Sequence, residues 1–212
     1  MSIFWFFLFS SIEYMAFFFL MFRLFRFQPS YYVPQIVFSI SLLLFVSTSM
    51  RYGFELSEFS AIAQLILICL LIWQLFNIHV FYAFVMGVSS YVFFGLIQSV
   101  IALIYHLDIE FINSDAYVGQ TLTSIVALVI GELIKKYNKG FSFIPEIYSP
   151  RKIKFKFPYL VTIIASIVIV TVSTYYQQKY HEDKLLYISL LLLITLMSFL
   201  FISLHRENTT DD

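Results

Sequence analysis

Residues 65–105 read LILICLLIWQLFNIHVFYAFVMGVSSYVFFGLIQSVIALIY, and the fold is predicted most directly from these residues. It contains the larger part of one apolar run and the whole of a second, with only the tripeptide Asn77–His79 between them. A helix needs about 20 apolar residues to cross the hydrocarbon core of a bilayer. The stretch therefore predicts two membrane-spanning helices that are joined by a tight hairpin.

The rest of the chain repeats this pattern. Hydrophobic residues make up 60% of the sequence and charged residues 12%, against roughly 25% charged residues in a soluble domain. The N-terminal run has no basic start and contains Glu13, so we interpret it as a retained span rather than a signal peptide. We predict an all-α, polytopic transmembrane helical bundle that forms a single domain over residues 1–212. Its seven predicted spans are 3–22, 33–50, 59–76, 80–105, 117–134, 157–175 and 185–204.

The distribution of lysine and arginine predicts the orientation. With the N-terminus outside, ten of the 13 basic residues fall in inner segments, seven of them between residues 135 and 156. Cytoplasmic loops of membrane proteins carry such an excess. We therefore expect an outside N-terminus and a cytoplasmic C-terminus, in a cell membrane that we interpret as the bacterial plasma membrane.

The longest outer loop, residues 106–116, is acidic and has no lysine or arginine. It contains Asp108 and Glu110. Two interpretations stay open: a solvated hairpin, or a rim that meets an extracellular ligand.

Polar residues inside predicted spans are the other candidates for a ligand site, because burying them in a membrane is costly. Glu13 lies near the middle of the first span, where it either senses a proton or ligand or fixes helix packing by a hydrogen bond. Gln64 and Gln98 are amides inside spans three and four. Gly87, Tyr91, Gly95 and Gln98 share one helical face, which favours close helix packing over a ligand-lined groove.

The basic inner segment is a candidate contact for the membrane surface or for a partner protein. Anionic lipids attract such segments, and interleaved phenylalanines favour a segment that lies on the membrane. Glu132 precedes Lys135 and Lys136 by three and four residues, so we expect it to pair with them. The contact residues are Lys135, Lys136, Lys139, Arg151, Lys152, Lys154 and Lys156.

Several chemistries lack their residues in this sequence. The four histidines are far apart, so no pair has the spacing of a metalloprotease site. The single cysteine, Cys69, cannot form an internal disulfide or a cysteine metal site. We expect no catalytic residues, no metal, no cofactor and, with a net charge of zero, no nucleic-acid partner.

The layout of the predicted spans resembles a known family. The stretches FYAFVMGVSSYVFFGLIQSVIALIYHL (81–107) and FPYLVTIIASIVIVTVSTYYQQ (157–178) are the most similar in texture. They resemble the membrane sensor domain of the Gram-positive peptide-pheromone receptor kinases of the accessory-gene-regulator C type. The resemblance implies that the outer face reads a secreted peptide. The kinase part of that family has no counterpart in HRENTTDD (205–212), so we expect a separate kinase or regulator to supply the output.

The sequence thus favours a receptor-like, multi-pass membrane protein that acts in signal transduction of the quorum-sensing kind. The alternative is the membrane subunit of a small transporter or of an immunity or export system. A homodimer and a remnant that is inserted without signalling are further alternatives that the sequence leaves open.

Overall fold

The computed structural model describes residues 3–50, 60–105 and 114–142. Within these ranges the chain is helical and has no strand. The helices are α1 (Ile3–Leu24), α2 (Val33–Thr48), α3 (Ser60–Leu75), α4 (Val80–Tyr105) and α5 (Ser114–Lys136), with a short 3-10 turn at Pro29–Tyr32 before α2.

The hairpin between α3 and α4 is as tight as the sequence predicts. Asn77 adopts a left-handed backbone conformation with φ of 51°, which turns the chain after α3. His79 then caps α4, since its Nδ1 accepts a hydrogen bond from the backbone N–H of Phe81 at 3.3 Å. The two helices pack against each other, which confirms the predicted hairpin.

Helices α1 and α5 run side by side in the same direction. Near their N-terminal ends the rings of Phe9 and Tyr117 are 4.8 Å apart. Near their C-terminal ends Arg23 Nη2 and Glu132 Oε1 are 3.6 Å apart. Residues of α1 and α5 that contact each other are thus about 109 positions apart in the sequence near both ends, so the two helices are parallel. When consecutive spans cross a membrane in alternating directions, the first and fifth spans point the same way, which agrees with this packing.

A glycine permits the close approach of α1 and α5. A Cβ atom at Gly131 would lie 2.8 Å from Cε1 of Phe19 and 3.5 Å from Cγ of Arg23. No side chain fits at that separation without displacing the Phe19 ring. Small residues allow helix backbones to approach in membranes, where van der Waals packing drives helix association.

The C-terminus of α1 closes with a Schellman motif, in which a left-handed residue lets following N–H groups reach back to free carbonyls. Arg26 has φ of 59°. The N–H of Phe27 donates to the Phe22 carbonyl at 2.8 Å, and the N–H of Arg26 donates to the Arg23 carbonyl at 3.2 Å. The rings of Phe22 and Phe27 are 6.0 Å apart, which supplies the apolar contact that accompanies the motif.

The C-terminus of α5 uses the same device and then returns to α1. Asn138 has φ of 53°, and the N–H of Lys139 donates to the Ile134 carbonyl at 3.0 Å. After Gly140, whose φ of 133° few other residues adopt, the N–H of Phe141 donates to the Leu24 carbonyl at 2.8 Å. The exits of α1 and α5 are therefore held together. We call this end of the bundle, where α1, α3 and α5 finish, the basic end.

An aromatic cluster fills the core near the basic end. Phe22 contacts Tyr32 in a stacked arrangement at 5.4 Å and Phe76 at 5.2 Å. Phe18 also contacts Phe76, at 6.5 Å. These contacts bring the end of α1, the turn before α2 and the end of α3 together.

Among the residues that the structure describes, four helical segments are long and apolar enough to cross a membrane: Phe4–Leu24, Pro29–Thr48, Val80–Tyr105 and Ala116–Lys136. The apolar helix Ser60–Leu75 is shorter. These findings confirm a membrane-embedded, all-helical protein for the described residues. The predicted spans at 157–175 and 185–204 lie outside those residues, so seven spans and the orientation stay predictions.

Candidate functional site

The side chain of Gln64 takes part in helix packing. Its side chain is buried, and Nε2 donates hydrogen bonds to Ser47 Oγ on α2 at 3.1 Å and to Ser60 Oγ on α3 at 3.0 Å. Both amide hydrogens are thus used within the protein. Such contacts between membrane helices contribute about 1 kcal/mol or less each. The structure places this predicted ligand residue in the α2–α3 interface.

The glycine-containing face of α4 packs partly against α3. A Cβ atom at Gly87 would lie 2.7 Å from Cys69 Sγ, and the Tyr91 hydroxyl donates to the Ala61 carbonyl at 3.3 Å. The packing interpretation is therefore confirmed for these two positions. Gly95 and Gln98, further along the same face, are half-buried.

Glu13 is half-buried. It lies on α1 between a residue that contacts α5 and a residue that contacts α4. It is one helical turn after Phe9, which contacts Tyr117 on α5 at 4.8 Å. It is one turn before Phe17, which contacts Phe94 on α4 at 5.7 Å. Residues four apart share a helical face. Glu13 therefore belongs to the region where α1, α4 and α5 meet.

The same periodicity identifies the neighbours of Glu13 on the other two helices. Helix α4 runs opposite to α1, so one turn forward from Phe94 reaches Gln98 at the level of Glu13. On α5, one turn forward from Tyr117 reaches Gln120 and Thr121. These positions lie six to ten residues from the ends of their helices that are opposite to the basic end, which is about 10 to 15 Å.

Buried polar atoms without hydrogen-bond partners mark this level of α5. Gln120 Oε1 and Thr123 Oγ1 are buried and have no partner within the described ranges, and Thr123 is 0% exposed. Many hydroxyls of the bundle instead bond to their own helix, as Thr121 Oγ1 does to the Tyr117 carbonyl at 2.7 Å. An unpaired buried polar group costs about 1 to 3 kcal/mol. A bound group that forms hydrogen bonds with these two atoms would remove that destabilisation.

We call Glu13, Gln98, Gln120 and Thr123 the polar junction. Sequence reasoning identified the first two members and missed the others. The signal was present in the stretch GQTLTS (119–124), which places small and polar residues inside a predicted span.

The basic end holds the second group of predicted contact residues. Lys135, Lys136 and Lys139 are exposed. Glu132 pairs with Arg23 of α1 at 3.6 Å, whereas the described residues show no ion pair between it and Lys135 or Lys136. The expected pairing within α5 is therefore wrong, because α1 presents a guanidinium beside Glu132 that sequence spacing does not reveal.

Arg23 is fixed from two sides. Its side chain is 15% exposed, and its guanidinium carbon lies 5.0 Å from the centre of the Phe19 ring, in addition to the contact with Glu132. Cation–π contacts of this kind contribute about 0.5 to 2 kcal/mol, depending on desolvation. The basic end is thus tied to the α1–α5 interface.

Other predicted residues lie outside the described ranges. They are the ligand candidates Asp108 and Glu110 and the contact candidates Arg151, Lys152, Lys154 and Lys156. Within the ranges that the structure describes, no group of His, Cys, Asp or Glu has the arrangement of a metal site. In comparisons with known proteins, no family model, no curated protein and no solved structure matches this chain.

Proposed function

We propose that this protein is a receptor-like membrane sensor that responds to an extracellular peptide or another amphiphilic signal. The signal acts at the polar junction and the acidic loop that contains Asp108 and Glu110. The response passes along α1 and α5 to the basic segment 135–156, where a separate kinase or regulator receives it. This proposal adopts the orientation in which the basic end is cytoplasmic.

The observation that carries the proposal is the connection between the polar junction and the basic end. Helices α1 and α5 contribute to both, and contacts near both of their ends hold them parallel. A displacement of α1 at Glu13 therefore moves Arg23 and, through the ion pair, Glu132 and the lysines that follow it. A packed helix pair of this kind transmits a shift as a unit, which receptors need.

A second function is supported by the position of Glu13. A carboxyl group within a membrane-spanning helix is also typical of proton-coupled transport. In that case the protein is the membrane subunit of a small transporter, and the basic segment docks onto a separate ATPase.

Capture of the partner separates the two functions. The tagged full-length protein is purified in mild detergent from native membranes, and co-purifying proteins are identified by mass spectrometry. A sensor is expected to retain a kinase or regulator, whereas a transporter subunit retains an ATPase. Reproducible recovery of neither argues against both functions.

A Glu13→Gln substitution tests whether the junction is the receiving site. In the unmodified protein, addition of conditioned culture medium is expected to change the amount of captured regulator by about fivefold or more, the usual scale of coupling between sites. Glu13→Gln is expected to abolish that change, while Gln74→Leu, at an exposed position on α3, leaves it intact. An undiminished change in the Glu13→Gln protein contradicts the assignment of Glu13.

A further inference from the structure

We propose that the basic end of α5 carries a binding site for one anionic phospholipid of the adjacent leaflet. The acyl chain lies along an apolar stripe of α5, and the phosphate group contacts Lys135 and Lys136. This site is separate from the polar junction, and it does not rest on the proposed function.

The first observation is a concentration of positive charge that two helices create together. Lys135 and Lys136 lie in the last turn of α5, and Lys139 follows three residues later. Arg26 lies beside Gly140, since its Cγ would be 3.2 Å from a Cβ there. The described acid at this end, Glu132, is engaged by Arg23 of α1. The lysines therefore keep their charge available for a ligand.

The second observation is the stripe of exposed apolar side chains directly before the lysines. Leu128, Val129 and Leu133 are 37%, 54% and 44% exposed. Leu128 and Lys135 are seven residues apart, as are Val129 and Lys136, so each pair shares a helical face. The stripe extends about 8 Å along α5 from Leu128 to Leu133, and Lys135 lies about 3 Å further along the helix.

These residues form one depression with a volume of about 610 Å³, lined by Leu128, Val129, Glu132, Leu133, Lys135 and Lys136. Its volume falls in the range of about 300 to 1,000 Å³ that is usual for small-molecule sites. Apolar residues line the part that lies deeper in the membrane, and ammonium groups line the part at the headgroup level. A phospholipid has the same order of apolar and charged parts.

The charge decides which phospholipid fits. A zwitterionic headgroup offsets its phosphate with a cationic group, which the neighbouring lysines would repel. An anionic headgroup such as that of phosphatidylglycerol has no such cation, so it gains from each nearby basic residue. Mere attraction to the membrane surface would depend on the total charge of the segment and would be indifferent to which lysines carry it.

Native mass spectrometry of the full-length protein in detergent micelles tests the site. The protein is titrated with phosphatidylglycerol or phosphatidylcholine, and the retained lipid is counted. The test variant is Lys135→Gln with Lys136→Gln. The matched control is Lys152→Gln with Lys154→Gln, which removes the same charge from the same basic segment without changing a residue that lines the depression or belongs to the charge beside it.

We expect one phosphatidylglycerol to be retained per unmodified protein, with phosphatidylcholine bound about thirtyfold more weakly, because two lysine contacts of about 1 kcal/mol each contribute about 2 kcal/mol. The test variant is expected to lose this preference, and the control is expected to keep it. Lys135→Arg with Lys136→Arg is expected to restore it. Equal losses in the test variant and the control overturn the proposal, as does equal retention of both lipids by the unmodified protein.

Discussion

On the α2–α3 side of the bundle the Gln64 amide donates to both Ser47 and Ser60. On the α1–α4–α5 side, Gln120 Oε1 and Thr123 Oγ1 are also buried, yet they have no hydrogen-bond partner within residues 3–50, 60–105 and 114–142. Both regions place polar groups inside apolar helices. The first uses them to hold helices together, whereas the second leaves them open to a further group.

This difference shows that a polar residue within a membrane span does not by itself identify a site. Gln64 and Gln120 are both glutamines inside predicted spans. The helix packing distinguishes them, because α2 supplies a serine opposite Gln64, whereas Gln120 Oε1 has no hydrogen-bond partner within the described residues. Substitutions that disturb one region at a time test whether the distinction holds.

The largest effect is expected from Gly131→Leu, which separates α1 from α5. The new side chain must displace Phe19, whose ring lies 2.8 Å from the position of its Cβ. Overpacking of this kind costs about 1 to 3 kcal/mol. Unfolding in mixed micelles of increasing SDS fraction, followed by circular dichroism, measures the change in the free energy of unfolding.

Val129→Leu is the control for this substitution, because it adds bulk on an exposed position of the same helix. It is expected to leave the free energy of unfolding within about 0.5 kcal/mol of the original value. If Gly131→Leu is equally harmless, then the close approach of α1 and α5 does not contribute to stability. The proposed connection between the junction and the basic end then loses its basis.

Much of the fold could be predicted from the sequence, because the length of an apolar run fixes where a span begins and ends. The segment predicted as a span at 80–105 is the helix Val80–Tyr105, and the segment predicted at 3–22 is the helix Ile3–Leu24. The partner of Glu132 could not be predicted in this way. Spacing within α5 reveals Lys135 and Lys136, but Arg23 is more than one hundred residues away and is placed there by the parallel packing of α1 and α5.

The candidate site was predicted only in part. Glu13 attracts notice because a carboxylate is rare inside a span, whereas Gln120 and Thr123 are of residue types that often bond to neighbouring helices or to their own backbone. Whether such a residue has a partner depends on the facing helix. A single sequence without that packing cannot distinguish the bonded Thr121 from the unbonded Thr123.

An intermediate effect is expected from Gln64→Leu. The substitution removes two hydrogen bonds and leaves the Ser47 and Ser60 hydroxyls without their donor. We expect a loss of about 1 kcal/mol in the free energy of unfolding in SDS micelles. Gln74→Leu, the same change at an exposed position of α3, is expected to cause no loss. Equal results for the two variants would remove the structural role of Gln64 and return it to the ligand candidates.

The smallest effect on stability is expected from Thr123→Val, which tests whether the polar junction contains an unpaired polar group. Valine has the shape of threonine without the hydroxyl, so the substitution removes a buried Oγ1 that has no partner in the described part of the chain. The free energy of unfolding in SDS micelles is therefore expected to stay the same or to rise by up to about 1 kcal/mol.

Thr121→Val is the matched control, because its hydroxyl donates to the Tyr117 carbonyl at 2.7 Å. Since a hydroxyl that bonds back to its own helix contributes little net stability, this variant is expected to lose no more than about 0.5 kcal/mol. A loss of more than about 1 kcal/mol in Thr123→Val alone would mean that Thr123 already has a partner in the membrane. The two regions would then use their polar groups alike, and the polar junction would be a packing contact, as the Gln64 site is.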